Sequence, residues 1–245
     1  MREYIYDKTF KGFLTAAAMA LEDGGSGAAI TSGPGNGPDL FTETEVIETD
    51  PAQAARLLSF IEERSSPSSV HHIWLTFLSE APGAETGALE YIKLLLEKGA
   101  AADDMLADDR VILVRGLTRK TGGEAERFKG FVRFKELADK TLYAKIEPDH
   151  NILPLITPHF RTRMGPFNWV LHDAKRNKAA FYFKGKLLYA PIDSAKALEF
   201  DGKEDAVQAL WKSFFKTIAI KERLNPKLQR QFVPLKYRKH LTEFD

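Results

Sequence analysis

The chain has no cysteine among its 245 residues. That absence excludes disulfides, thiolate zinc sites, Cys-ligated iron–sulfur clusters and thiol nucleophiles within it. No apolar run reaches the roughly 18–20 residues that a membrane span needs. Met1-Arg2-Glu3-Tyr4 opens without the apolar stretch of a secretory signal. No membrane association is expected, and a cytoplasmic location is. The glycines of 24–37 lack the G-x-G-x-x-G frame, and neither G-x-x-x-x-G-K-[ST] nor G-x-S-x-G occurs. His71-His72 lies on an acidic helix without H-E-x-x-H spacing. No resident cofactor is therefore expected.

The charge is present but unevenly placed. The overall balance is only +1. Residues 1–109 nevertheless carry 7 Lys/Arg against 19 Asp/Glu, a balance of −12, and residues 110–245 carry 28 against 15, a balance of +13. Clustered cations release counterions from a polyanion, and aromatic faces stack on bases, so a cationic segment rich in Phe, Tyr and Trp suits nucleic acid.

Hydrophobic spacing predicts the elements. Tyr4-Ile5-Tyr6 reads as a strand, and Phe10, Phe13, Leu14, Ala17 and Leu21 as a helix face. The Gly/Ser/Pro-rich stretch 23–39 reads as a loop. Residues 45–49 form a candidate strand, and Asp50-Pro51 starts a helix over 51–64. Further helices are expected over 68–79, capped by Ser68 or Ser69, and over 86–98, stopped by Gly99. Val111, Val114, Thr118, Thr121, Ala125, Phe128 and Val132 form a seam at 3-4 spacing that predicts a long helix, with a break near Gly122 as the alternative because its glycines each cost a helix interior roughly 1 kcal/mol. From there the period changes to two, which predicts a hairpin of 131–137 with 141–147 and antiparallel strands within 167–191. Asn151 starts a helix that Pro158 should kink or restart, with Thr157 as a second cap. Helices at 204–220 and after Asn225-Pro226 and a basic tail complete the chain. The fold class is α+β, with an acidic, mainly helical region over 1–82 and a basic α+β domain over 83–245.

Reactive side chains are densest between Phe128 and Arg176. Read as a strand, 128–134 is similar to the aromatic strand of an RNA-recognition motif, though short for it. It would put Phe131, Arg133 and Lys135 on one face, with Arg127 and Lys129 just before. That face reads as a stacking and phosphate surface, or as two core phenylalanines with solvated cations. Glu147-Pro148-Asp149-His150 ends a strand and opens a helix, where carboxylates can hold Mg²⁺ or Mn²⁺ or cap the helix. His159 and Arg163 are i,i+4 neighbours suited to holding a phosphate, with Arg161 beside them. The competing reading is a helix flank whose His stacks on an aromatic ring and whose Arg pairs with Asp173. Trp169 reads as core, and Asp173 to Lys178 as a polar turn containing Arg176. Glu147, Asp149, His159, Arg163 and Asp173 are thus the catalytic candidates. Arg127, Lys129, Phe131, Arg133, Lys135, Arg161, Arg163 and Arg176 are the nucleic-acid candidates, and no metal ligand set is assigned.

Taken together, Tyr4-Ile5-Tyr6-Asp7-x-Thr9-Phe10-x-Gly12-Phe13, Gly130-Phe131-x-Arg133-Phe134, Pro148-Asp149, His159-Phe160-x-x-Arg163, Trp169, Asp173 and Arg176 resemble a bacterial family known as probable DNA metabolism proteins. The likeness spans nearly the whole chain. It implies an uncharacterised C-terminal domain and a setting beside a radical-SAM protein thought to modify or repair DNA. Some relatives are fused to a uracil-DNA-glycosylase-like domain. The resemblance carries over no catalytic residue.

Three readings follow. The first is a DNA-binding accessory, for single-stranded or damaged DNA, to a radical-SAM partner. The second is an enzyme acting on DNA through metal- or His-assisted chemistry. The third is a protein–protein adaptor without nucleic-acid binding.

Overall fold

A computed structural model describes residues 2–24, 27–33, 42–192 and 225–244. The expected helix at 204–220 lies outside the described residues. The chain divides into two compact units, Met1–Gly122 and Gly123–Asp245. Its mixture of helices and two sheets is the α+β class.

In the first unit, strand β1 (Arg2–Ile5) sits between β2 (Ala28–Thr31) and β3 (Glu43–Val46), parallel to both. β2 falls within the stretch read as a loop. A four-residue strand supported by one parallel neighbour leaves too short a pattern to stand out among glycines. Helix α1 (Phe10–Glu22) follows β1, with Thr9 capping the Gly12 N–H at 3.0 Å. Asp7 accepts hydrogen bonds from Thr9 and Thr49, and a Cβ at Gly12 would stand 2.2 Å from Asp7 Oδ1. Only glycine lets the carboxylate lie against this helix start.

Helix α2 (Pro51–Arg64) begins as expected, with Asp50 accepting from the Ala52 and Gln53 amides, a cap worth about 1 kcal/mol. Helix α3 (Pro67–Ser79) is capped by Ser66, earlier than expected. Pro67 suits the first helical position, and Ser69 completes a reciprocal capping box. Helix α4 (Ala84–Lys98) also starts earlier, after Gly83, and stops at Gly99, whose φ of +61° a side chain would strain. Asp103, in the turn after α4, accepts from Ser66, Ser69 and Tyr91, tying α3 and α4 to that turn.

Helix α5 (Asp109–Phe131) is the expected long helix and runs unbroken through Gly122 and Gly123, without the alternative break. The two glycines cost roughly 1 kcal/mol each, and the burial of its apolar seam offsets that. The seam itself is shared: Val111 and Val114 belong to one core, and Ala125, Phe128 and Val132 to another.

The second unit carries a five-stranded sheet in the order β4-β5-β6-β7-β8. These strands are β4 (Lys135–Glu136), β5 (Leu142–Ile146), β6 (Trp169–Asp173), β7 (Lys178–Phe183) and β8 (Lys186–Pro191). The expected hairpin shrinks to a two-residue β4, because α5 continues to Phe131. The remaining pairs are antiparallel, but β5 and β6 are parallel. Their connection contains helix α6 (Leu153–Arg163), and a crossover through a helix returns the chain in the same direction. Pro158 sits inside α6 without ending it, and Thr157 bonds Tyr189 Oη rather than capping a second piece. Ile156, Thr157 and Phe160 are buried on either side of that proline, and their packing outweighs its local cost. Leu142, Ala144 and Ile146 share the sheet face toward α6, as their alternation implies. Trp169 is fully buried there, stacked on its cross-strand partner Tyr182 at 5.2 Å. Helix α7 (Pro226–Phe232), with Asn225 as its cap, and two short 3₁₀ turns, Leu235–His240 and Thr242–Phe244, complete the unit.

Candidate nucleic-acid interface and ionic cluster

The parallel pair β5–β6 defines two ends of the second sheet. At the carboxyl ends, where open α/β sheets place ligands, stand Glu147 and Asp149 after β5 and Asp173 at the end of β6. The register pairs Ile146 with Asp173. Beneath them is Glu124 of α5, 1% exposed. Its two oxygens accept the Asp149 and His150 amides, each at 2.8 Å, and one also accepts the Tyr237 hydroxyl at 2.5 Å. This buried carboxylate aims the 147–150 turn and holds the C-terminal 3₁₀ turn against α5. Tyr237 in turn packs edge-on against Phe128 at 5.0 Å. Burial, reinforced by Glu124, pushes its hydroxyl up to about 12.

Each sequence-nominated carboxylate at this end has internal cations. Glu147 accepts from Lys239 at 2.8 Å and lies 3.2 Å from His240. The Lys239 hydrogen bond dominates in holding Glu147 below the usual carboxylate range. Asp149 pairs with Lys236 and lies 4.0 Å from Lys175. Partial burial works against its ionisation, but these lysines hold it below its ordinary value. Asp173 is fully buried and pairs with Arg176 at 2.9 Å. Burial raises its carboxyl despite that arginine. Arg176 also donates to the Pro148 and Asp149 carbonyls at 3.2 and 2.8 Å, so it fastens the β5–α6 connection to the β6–β7 turn.

The structure therefore brings Glu147, Asp149, Asp173 and Arg176 together. It does not bring His159 or Arg163 into contact with them. His159 packs edge-on against Phe160 at 5.0 Å, and its buried Nε2 has no hydrogen-bond partner among the described residues. Asp173 takes Arg176, not Arg163, as its partner. Among the described residues no group of three or more His, Asp or Glu side chains is arranged to hold a metal.

Of the nucleic-acid candidates, Phe131 is half-buried against Phe128 and Tyr237. Arg133 is held by Glu243 at 2.6 Å, and Lys129 by Glu126 at 2.5 Å. Phe131 ends a helix, so the expected strand face of Phe131, Arg133 and Lys135 does not form. Arg127 is exposed and Lys135 half-buried, neither in an ion pair among the described residues.

The other end of the sheet differs. Arg161 and Arg163, in the last turn of α6, are exposed and form no ion pair among the described residues. Two aromatic rings lie outward here: Phe167 is 55% exposed and Phe183 is 41% exposed. The Lys184 amide donates to Asn168 Oδ1 at 3.1 Å, bringing the β7–β8 turn beside the α6–β6 connection. Lys184 and Lys186 are exposed on that turn. Arginines, lysines and outward phenylalanines are thus gathered at the amino end of β6. Sequence reasoning found Arg161 and Arg163 but missed Phe167, Phe183, Lys184 and Lys186. The only local signal was a Phe on each side of the Trp169 strand pair.

Residues 82–243 match the family described as Domain of unknown function, DUF4130. The chain belongs to the DUF4130 family. A comparison with curated proteins found no match. The DUF4130 match takes in α4 and α5 as well as every candidate-site residue of the second unit discussed above. Among the described residues of this DUF4130 chain, no helix is long and apolar enough to cross a membrane.

Proposed function

We propose that this protein binds single-stranded or damaged DNA and acts in DNA repair or modification as an accessory to a radical-SAM partner. The observation that carries the DNA-binding part is the exposed cationic and aromatic edge formed by Arg161, Arg163, Phe167, Phe183 and Lys184, whose cations form no ion pair among the described residues. Exposed rings offer stacking platforms to unpaired bases, and neighbouring cations follow the phosphates. The second unit, with 24 Lys/Arg against 15 Asp/Glu, supplies a long-range field of the right sign. The partner rests on the family likeness alone. A catalytic role for Glu147, Asp149 and Asp173 has less support, because the cations that face them come from this chain.

Fluorescence anisotropy with a labelled single-stranded oligonucleotide tests the reading. If some five phosphates are contacted, log K falls against log salt with a slope of about −3 to −4. No binding at low salt, or binding without salt dependence, would refute it. The accessory role predicts that the chain co-purifies with a co-expressed radical-SAM protein encoded beside it.

A further inference from the structure

Of the thirteen large hydrophobic side chains that stand exposed among the described residues, four fall between positions 105 and 113. Met105 and Leu106 lie in the turn before α5, and Ile112 and Leu113 stand on its first turns, 54% and 42% exposed. Single exposed hydrophobics are ordinary, whereas a group of them marks a contact surface. The Asp108 N–H donates to the Met105 carbonyl and the Ile112 N–H to the Asp108 carbonyl, each at 2.9 Å. The turn therefore runs straight into the helix, and the four side chains stay close together. The inner side of the same helix is already used, with Val111, Val114 and Leu117 buried.

The outer stripe has a polarity. Asp109, Ile112, Leu113, Gly116 and Lys120 follow at i, i+3, i+4, i+7 and i+11, which is one face of an α-helix. The stripe opens on an exposed carboxylate, passes two exposed apolar side chains and a glycine, and closes on exposed Lys120 with Arg119 beside it. Asp109, Arg119 and Lys120 form no ion pair among the described residues. A Cβ at Gly116 would meet nothing within 4 Å, so the middle of the stripe has open room above it. Acid at one end and base at the other make the face complementary to itself turned end for end. The midpoint between Asp109 and Lys120 is also the midpoint between Leu113 and Gly116, so one two-fold axis serves both pairs.

We propose that this stripe of α5 is a dimer interface whose occupant is a second copy of the chain, packed antiparallel. The axis passes between positions 114 and 115. Asp109 of each copy then faces Lys120 of the other, Leu113 fills the room above the other copy's Gly116, and the two helix dipoles oppose. A polyanion suits the face less well, because Asp109 repels it. The stripe lies wholly within the first unit, so the inference goes beyond the DNA-binding reading and does not depend on it. About three helical turns bury less than the roughly 800 Å² per partner of a standard interface, so association is expected to be micromolar or weaker.

Sedimentation velocity of the full chain across the micromolar range tests it. The expected result is monomer at low concentration and dimer at high concentration, with salt weakening the dimer. Gly116→Leu fills the open room without an internal clash and improves helix propensity. Its melting temperature at low concentration should be unchanged or higher, while dimerisation weakens about tenfold or more. Asp109→Lys and Lys120→Asp should each weaken dimerisation about tenfold by setting like charges opposite one another. Both changes in one chain should restore it, because every charge again faces its opposite. A chain that stays monomeric throughout, or a dimer that Gly116→Leu leaves intact, would overturn the proposal. So would a dimer that the single charge reversals do not weaken or that the double reversal does not restore. A monomeric chain whose affinity for a single-stranded oligonucleotide falls in Lys120→Asp would overturn it too, and would give the stripe to DNA.

Discussion

The two ends of the second sheet are built from the same strands and draw on the same cation-rich composition, yet they expose different chemistry. At the carboxyl end, Lys236, Lys239, Lys175 and Arg176 meet Asp149, Glu147 and Asp173, so their charge is largely balanced inside the unit. At the amino end of β6, Arg161, Arg163, Lys184 and Lys186 stay exposed, beside Phe167 and Phe183. A count of lysines and arginines cannot separate these cases. What matters for a polyanion is which cations already have a carboxylate.

The largest contrast should come from the buried network beneath the carboxyl end. Glu124→Ala leaves two backbone amides and the Tyr237 hydroxyl without their acceptor. We expect a loss of about 3 kcal/mol or more, read as a fall of about 10 °C or more in thermal denaturation. Arg176→Ala comes next, because it leaves Asp173 buried without its cation. A loss of about 3 kcal/mol is expected, with DNA affinity at the permissive temperature unchanged. If Arg176→Ala instead lowers DNA affinity and leaves the melting temperature alone, the contrast between the ends fails.

Arg161→Ala/Arg163→Ala should do the reverse. Its melting temperature should stay near that of the parent, while single-stranded DNA affinity at low salt falls about tenfold and the salt slope becomes shallower by about 1.4. Phe167→Ala added to that pair should weaken binding further by about 1 kcal/mol or more through lost stacking.

A smaller effect follows from protonation. His172 and His240 are both lowered from 6.5 in the folded chain, so the unfolded chain binds protons first as pH falls. Their contribution to stability is present above about pH 6.5 and is lost as pH drops through the depressed folded values. Glu147 and Asp149 are lowered too, and extend the loss in the same direction below about pH 4.5. Asp173, raised by burial, acts oppositely: its contribution is present below its ordinary value and is lost as pH rises through the folded one. Denaturant unfolding between pH 7.5 and 5 should show falling stability, flattened in His172→Gln. Smallest of all, Lys129→Ala breaks only the exposed helical pair with Glu126 and should change stability by less than about 0.5 kcal/mol.

Much of the secondary structure was legible in the residues. Asp50-Pro51, Gly99 and Asn225-Pro226 mark helix ends by local chemistry, and the alternation of Leu142, Ala144 and Ile146 sets the buried face of β5. Strand β2 was hidden because its stability comes from β1, not from its own pattern. The long α5 was legible in its seam, but its continuity was not, because burial on two separate cores rather than local propensity outweighs two glycines. In the site, neighbours in sequence were readable and partners across the fold were not. Asp173 and Arg176 are three residues apart in a turn, whereas Lys236, Tyr237 and Lys239 reach residues some ninety positions or more earlier.

The sequence alone determined the α+β class, most helix starts, the burial of Trp169, the polarity of charge along the chain and the exclusion of thiol chemistry. Each depends on composition, or on period and capping within a few residues. Only tertiary structure decided that β5 and β6 run parallel, that Glu124 lies beneath the carboxylates, that Arg176 rather than Arg163 neutralises Asp173, and which cations stay without a carboxylate among the described residues. Those outcomes depend on pairing between distant segments, because a charge is available to a ligand only when the fold has not already supplied its partner.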